Sequence, residues 1–185
     1  MSGVFLKGDI VAKKEKLYIN IKSALLVSLI IISSYLYLPM PSVSVLSLQT
    51  VFINLSALIL SPWQGFITVA LWILMGAVGL PVFSGGGGMG RLFGVTGGFY
   101  WGFLIAVPVM SLLKGERISF RRYFLALMAG ALIEHASAVA VMCIHNGGDI
   151  LAAVSSVSLP FLVGDILKCF LSSFIAVKLK KRKII

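Results

Sequence analysis

Six apolar stretches, separated by short polar or glycine-rich breaks, dominate this 185-residue chain. They cover residues 21–38, 45–60, 63–80, 95–113, 123–144 and 158–177. A helix crossing the bilayer core needs about 20 mostly apolar residues, and the stretches approach that length. Helix-breaking residues punctuate them: Pro39 and Pro41 end the first, Ser61 and Pro62 the second, and Pro81 the third. Residues 150–157 read as a short amphipathic or re-entrant approach to the last stretch. The pattern predicts an all-α membrane protein of six transmembrane helices. A single membrane domain, 23–178, lies between a basic amino-terminal segment, 1–22, and a basic tail, 179–185.

Composition supports the bilayer as solvent. Hydrophobic residues make up 59% of the chain, charged residues 12%, and the mean hydropathy is +1.04. A soluble domain is about 25% charged. The net charge of +10 suggests nucleic acid at first, but the cations do not form an aromatic-laced face. Of 16 Lys and Arg, five lie in 1–22, four in 114–122 and five in 178–183. With six helices, the positive-inside rule puts all three clusters, and so both termini, in the cytoplasm. The 39–44 loop, the glycine-rich loop between the third and fourth helices, and the 146–149 turn then face outward. Arg91 and Lys168 belong to no cluster and become candidates for function. No cleavable signal is evident in the polar, basic start of the chain. Cys143 and Cys169 lack metal or redox spacing and read as small buried apolar residues.

Several polar residues stand where lipid should be. Asp165 and Lys168 sit three apart in the sixth stretch, on one helix face. Each charge costs about 2.5–3.5 kcal/mol at a helix centre. They form either an ion pair that fixes helix rotation or an acceptor and donor aimed into a cavity. Glu134, beside His135 in the fifth stretch, either belongs to that site or pairs with an interior group or another subunit. His145, at a stretch end, reads as an interfacial polar cap. Ser47, Gln49 and Thr50 form a polar patch that must turn away from lipid. Gly94, Gly98 and Gly102 give one smooth helix face, and at least two of them serve packing. Ala24 and Ser28 are a second small-residue pair.

Enzymatic motifs are missing from the sequence. Gly85, Gly87 and Gly90 satisfy GxGxxG, but without the strand, helix and distal acid of a dinucleotide fold. No P-loop, nucleophile–base pair or metal-spaced cluster is readable. The glycine-rich loop instead reads as the cap of a small-molecule site.

Three motifs, spanning residues 48–168, resemble the BioY family, the biotin-specific substrate-binding components of energy-coupling-factor transporters. GLPVFSGGGGMG followed by GVTGGFYWGF is similar to that family's GLPVF, glycine-rich loop and GPTGGY. Leu48-Gln49-Thr50 is similar to its TLQT. Pro160-Phe161, Gly164-Asp165 and Lys168 are similar to its PF, GD and K. Val95 stands where the family has Pro, Ser47 where it has Thr, and Val45-Leu46 where a Pro is expected.

The resemblance implies biotin as ligand, with no cofactor. Asp165 would accept a urea N–H, Lys168 would donate to the urea carbonyl, and Arg91 would take the tail carboxylate. Phe83, Tyr100 and Trp101 would supply the apolar wall. The motifs carry over Ser84 and Gly85 from the loop, Thr96, Gly97 and Gly98 from its end, and Gln49 and Thr50 from the second helix. The partners implied are a transmembrane coupling subunit and a pair of ABC-type ATPases, in a bilayer and without nucleic acid. Ala24 and Ser28 resemble the small-residue motif by which such components dock on the coupling subunit, with Ser28 in place of Ala. The competing readings are a membrane-embedded enzyme acting on a lipid or prenyl group and a purely structural membrane subunit.

Overall fold

The computed structural model describes residues 2–39, 45–182 and 184. Its elements are α1 (Ser2–Ser33), β1 (Tyr37–Pro39), β2 (Val45–Ser47), α2 (Gln49–Ile59), α3 (Pro62–Ala77), α4 (Met89–Leu92), α5 (Gly97–Leu113), α6 (Phe120–His145), α7 (Ile150–Val157) and α8 (Leu159–Lys181). Lys13–Ser33, Phe120–His145 and Leu159–Lys181 are long and apolar enough to cross a bilayer, while α2, α3 and α5 are shorter apolar helices.

Around an apolar core that includes Ile30, Ile53, Leu58, Trp72 and Met110, the outer surface is also apolar and several polar side chains lie inside. Leu71, Leu74, Leu132, Val163, Leu167 and Phe170 are exposed, whereas Gln49, Asn54, Glu134, Lys168, Ser172 and Ser173 are buried. Exposed apolar side chains in this number mark a lipid or protein interface. Polar groups turned inward mark a site or a packing seam.

Glycine sets the tightest seam. The broadest helix pairing is α5 on α6. A Cβ at Gly98 would lie 2.4 Å from the Ser137 carbonyl oxygen, and one at Gly102 would lie 2.9 Å from the Glu134 Cα. Only hydrogen fits there, so the two backbones approach closely and the turn carrying Glu134 is held in place. Gly94 precedes α5 and faces the Gly90 carbonyl instead.

Two departures from the sequence pattern matter for the site. The second apolar stretch is not one helix. Val45–Ser47 pairs antiparallel with Tyr37–Pro39, and helix begins only at Gln49. Pro39 lacks the N–H that a continuing helix needs, and the β-branched Val45 suits a strand. Pro41, with the rest of the 40–44 segment, and Lys183 lie outside the described residues. At its far end α2 is closed by Lys114, whose ammonium donates to the Ala57 and Leu60 carbonyls, and by the Ser111 hydroxyl on Leu60 at 2.9 Å. A cation at a helix C-terminus is favoured by the dipole.

The second departure is at the amino terminus. Within the basic segment, residues 2–22 belong to α1 instead of preceding it. Ala24 and Ser28 lie on the exposed face of α1, with the Ser28 hydroxyl turned back to the Ala24 carbonyl at 2.9 Å.

Candidate functional site

The glycine-rich loop is an ordered roof. Phe83 and Gly86 exchange backbone hydrogen bonds of 2.9 and 3.0 Å, closing a tight turn. Gly85 and Gly86 have φ of +87° and +133° there, a region other residues avoid. The Gly88 N–H donates to the Gly76 carbonyl at 2.7 Å, tying the loop to the end of α3. The chain then forms α4, which carries Arg91. The Arg91 guanidinium donates to the carbonyls of Ser84 and Gly85 and folds back over the turn.

Beneath the roof lies a cavity shared by α2, α5, α6 and α8. Among the sequence candidates, Gln49, Thr50, Ser84, Arg91, Thr96, Tyr100, Asp165 and Lys168 line it. Ser47, Ile53, Phe99, Phe103, Glu134 and Phe161 complete the wall. The other candidates stand behind it. Phe83 is fully buried, its ring tilted against Tyr100 at 4.3 Å and edge-on to Trp72 at 5.2 Å. Gly85 supplies its carbonyl to Arg91. Gly97 packs on the Leu92 carbonyl and Gly98 on α6. Trp101 is turned away, its ring tilted against Phe93 at 5.7 Å and its indole N–H on the Leu92 carbonyl at 3.0 Å.

Gln49 is largely committed to the protein. Its amide donates to the Ile30 carbonyl at 3.2 Å and the Val82 carbonyl at 2.8 Å, and its oxygen accepts the Ser84 hydroxyl at 3.2 Å. Trp72 donates to the same Val82 carbonyl at 2.9 Å. One buried amide thus joins α1, α2 and the roof. Its sequence signals were the polar patch in an apolar stretch and the Leu48-Gln49-Thr50 match.

The polar centre is on α8. Pro160 stands in the first turn of the helix, where its missing N–H costs nothing. Asp165 and Lys168 follow on one face, with Nζ 2.9 Å from Oδ1. The second carboxylate oxygen takes a partner from α6: His135 Nε2 lies 3.1 Å from Oδ2. The other ring nitrogen of His135 lies 3.1 Å from the Ser158 hydroxyl, just ahead of α8. A ring carrying its proton on Nε2 donates to Asp165 and accepts from Ser158. The carboxylate is therefore held in place from two helices. The ring of Phe99 stands edge-on to His135 at 5.8 Å and to Phe161 at 6.1 Å, walling this corner with carbon.

His135 was visible in the sequence only as the neighbour of Glu134. A second polar group adjoining an intramembrane acid was its one signal. Phe99, Phe103 and Phe161 fall inside the motif segments but were not singled out for the site, because aromatics are ordinary in membrane helices.

Comparison with known proteins places this arrangement. The BioY family model matches residues 11–184. The chain belongs to the BioY family. Among BioY relatives, the biotin transporter BioY of Thermotoga maritima is 35% identical over 165 residues, covering 89% of this chain and 96% of the relative. The probable biotin transporter BioY of Pyrococcus horikoshii is 34% identical over 139 residues, covering 73% and 80%. A crystal structure of the S-component for biotin from an ECF-type ABC transporter superposes with a TM-score of 0.83 at 23% identity, covering 91% of this chain and 93% of that one. The BioY fold and the several apolar helices make this a multi-pass membrane protein.

Proposed function

We propose that this chain binds biotin and serves as the substrate-specific subunit of an energy-coupling-factor transporter that takes the vitamin up. One observation carries the reading beyond kinship: an acid–base pair, the partly buried Asp165 and the buried Lys168, opens onto a cavity whose wall combines the aromatic rings of Phe99, Tyr100, Phe103 and Phe161 with polar side chains. A cyclic urea offers N–H donors and a carbonyl acceptor on a neutral ring. An acceptor and a donor whose charges cancel match it without burying net charge. Arg91 is the one guanidinium on the cavity wall and can take the tail carboxylate in a bidentate pair.

Several finer statements belong to this proposal. Six helices span the cytoplasmic membrane: α1, α2 with its leading hairpin, α3, α5, α6 and α8. The termini and the 114–122 loop face the cytoplasm, and the glycine-rich roof faces outward. The membrane domain is 23–178, flanked by basic segments. The chain lacks its own ATPase, and a transmembrane coupling subunit with two ABC-type ATPases supplies the energy. The exposed Ala24–Ser28 face of α1 is the docking surface for the coupling subunit. The chain is not an enzyme.

The test is retention of radiolabelled biotin by the purified chain in detergent. Tight, stoichiometric retention of unchanged biotin is expected. No retention, or conversion of the label, overturns the reading.

Arg91→Ala is expected to weaken biotin binding by about tenfold or more, the loss of a charge-assisted pair. It should weaken a tail-amidated analogue far less. Equal losses for the two ligands in competition binding would remove Arg91 from the carboxylate.

A further inference from the structure

The mechanism so far leaves one buried acid unused. Glu134 is 4% exposed, and its Oε1 has no hydrogen-bond partner among the described residues. It lines the same cavity as Asp165 and Lys168. The ion pairs among the described residues join Asp165 to Lys168 and to His135, and neither includes Glu134. Its backbone is pinned where Gly102 packs on its Cα. An orphaned acceptor in a buried wall is held there at a cost unless something fills the cavity and donates to it.

The chemistry of the proposed ligand says what is missing. A cyclic urea carries two N–H groups. The carboxylate of Asp165, already shared between Lys168 and His135, faces the cavity from α8 and can serve one of them. Lys168 is a donor only and cannot serve the other. Gln49 has given its oxygen to Ser84. The second N–H needs an acceptor, and Glu134 has one free.

We propose that Glu134 is a specificity-determining residue that accepts the second urea N–H of the ligand, so that α6 and α8 each read one nitrogen. This rests on the biotin reading above and deepens it. The ligand closes the orphaned Oε1, and the site distinguishes a urea from any ring that lacks either N–H.

The experiment compares wild type, Glu134→Met and Glu134→Gln in equilibrium binding of biotin and of the two biotins methylated at one urea nitrogen. Methionine keeps the length of the side chain without its oxygens, and Gln keeps an acceptor at the same place. The methionine variant is expected to lose about tenfold or more in biotin affinity, with glutamine recovering most of it. For one of the two methylated ligands, the penalty seen in wild type should shrink in Glu134→Met, because the acceptor that methylation deprives is already gone. Unchanged biotin affinity in Glu134→Met overturns the proposal. So does an equal loss for biotin and both methylated ligands, the behaviour of a merely structural residue. Failure of wild type to bind biotin at all overturns the underlying reading instead and is seen before any variant is made.

Discussion

Lys168→Ala lowers biotin affinity by about tenfold or more, and Asp165→Asn does the same. Lys168 is 8% exposed, and its ammonium lies 2.9 Å from Asp165 Oδ1. Removing Asp165 leaves the buried Lys168 charge without its ion-pair partner, and removing Lys168 leaves the Asp165 carboxylate with only His135; breaking a buried pair typically costs about 3–5 kcal/mol. Part of that loss falls on the fold. The rest falls on the ligand, because the remaining group turns toward whatever polar atom it finds. Asn at 165 keeps the volume but places an amide donor where His135 and Lys168 both need an acceptor. One factor of ten is about 1.4 kcal/mol, well inside what the geometry makes available.

A double replacement separates architecture from recognition. Asp165→Leu with Lys168→Met removes both charges together, and a buried pair replaced by apolar groups is often neutral or stabilising. The double variant should recover thermal stability in detergent and still fail to bind biotin. Wild-type affinity in any of these folded variants would show that the pair merely sets the rotation of α8.

The second large effect is on the fold. Gly98→Ala is expected to lower the melting midpoint by roughly 6–12 °C, given a cost of about 3 kcal/mol for forced overpacking and the size of the chain. The new methyl group would lie 2.4 Å from the Ser137 carbonyl oxygen and 2.6 Å from the Ala138 Cα. Both are backbone atoms, so no side chain can swing aside and α5 must part from α6. Alanine gains about 1 kcal/mol in helix propensity over glycine, which is too little to offset the clash. Gly90→Ala is the control: nothing lies within 4 Å of a Cβ there. Its midpoint should hold or rise. Equal midpoints for the two variants, read by light scattering or tryptophan fluorescence on heating, would refute the close-packed seam.

Gly98 carried two sequence readings, packing by its four-residue spacing and ligand contact by the motif. It belongs to the segment by which the family is recognised, and that resemblance assigns it to the ligand. In the structure it lies against α6, and Glu134, one turn further along the same seam, faces the cavity. Identity of residue types along a motif does not say which members touch the contents of a pocket.

Much was determined by residue order alone. Apolar length and helix-breaking residues locate the hydrophobic helices, because a bilayer core demands about 20 apolar residues and internally satisfied backbone. An acid and a base three apart on one helix must meet, because 3.6 residues per turn puts them on one face. The exceptional cost of charge among apolar residues marked Asp165, Lys168 and Glu134 before any coordinates. Tertiary structure decided what comes together from far along the chain. His135 reaches Asp165 across 30 positions, and Gln49 reaches Val82 across 33. Neither bond has a local periodicity to announce it. The strand at Val45–Ser47 likewise exists only because Tyr37–Pro39 returns beside it. Side chains also divide between cavity and core according to the roll of each helix, and that is set by backbone approaches such as Gly98 on Ser137, which depend on both helices at once.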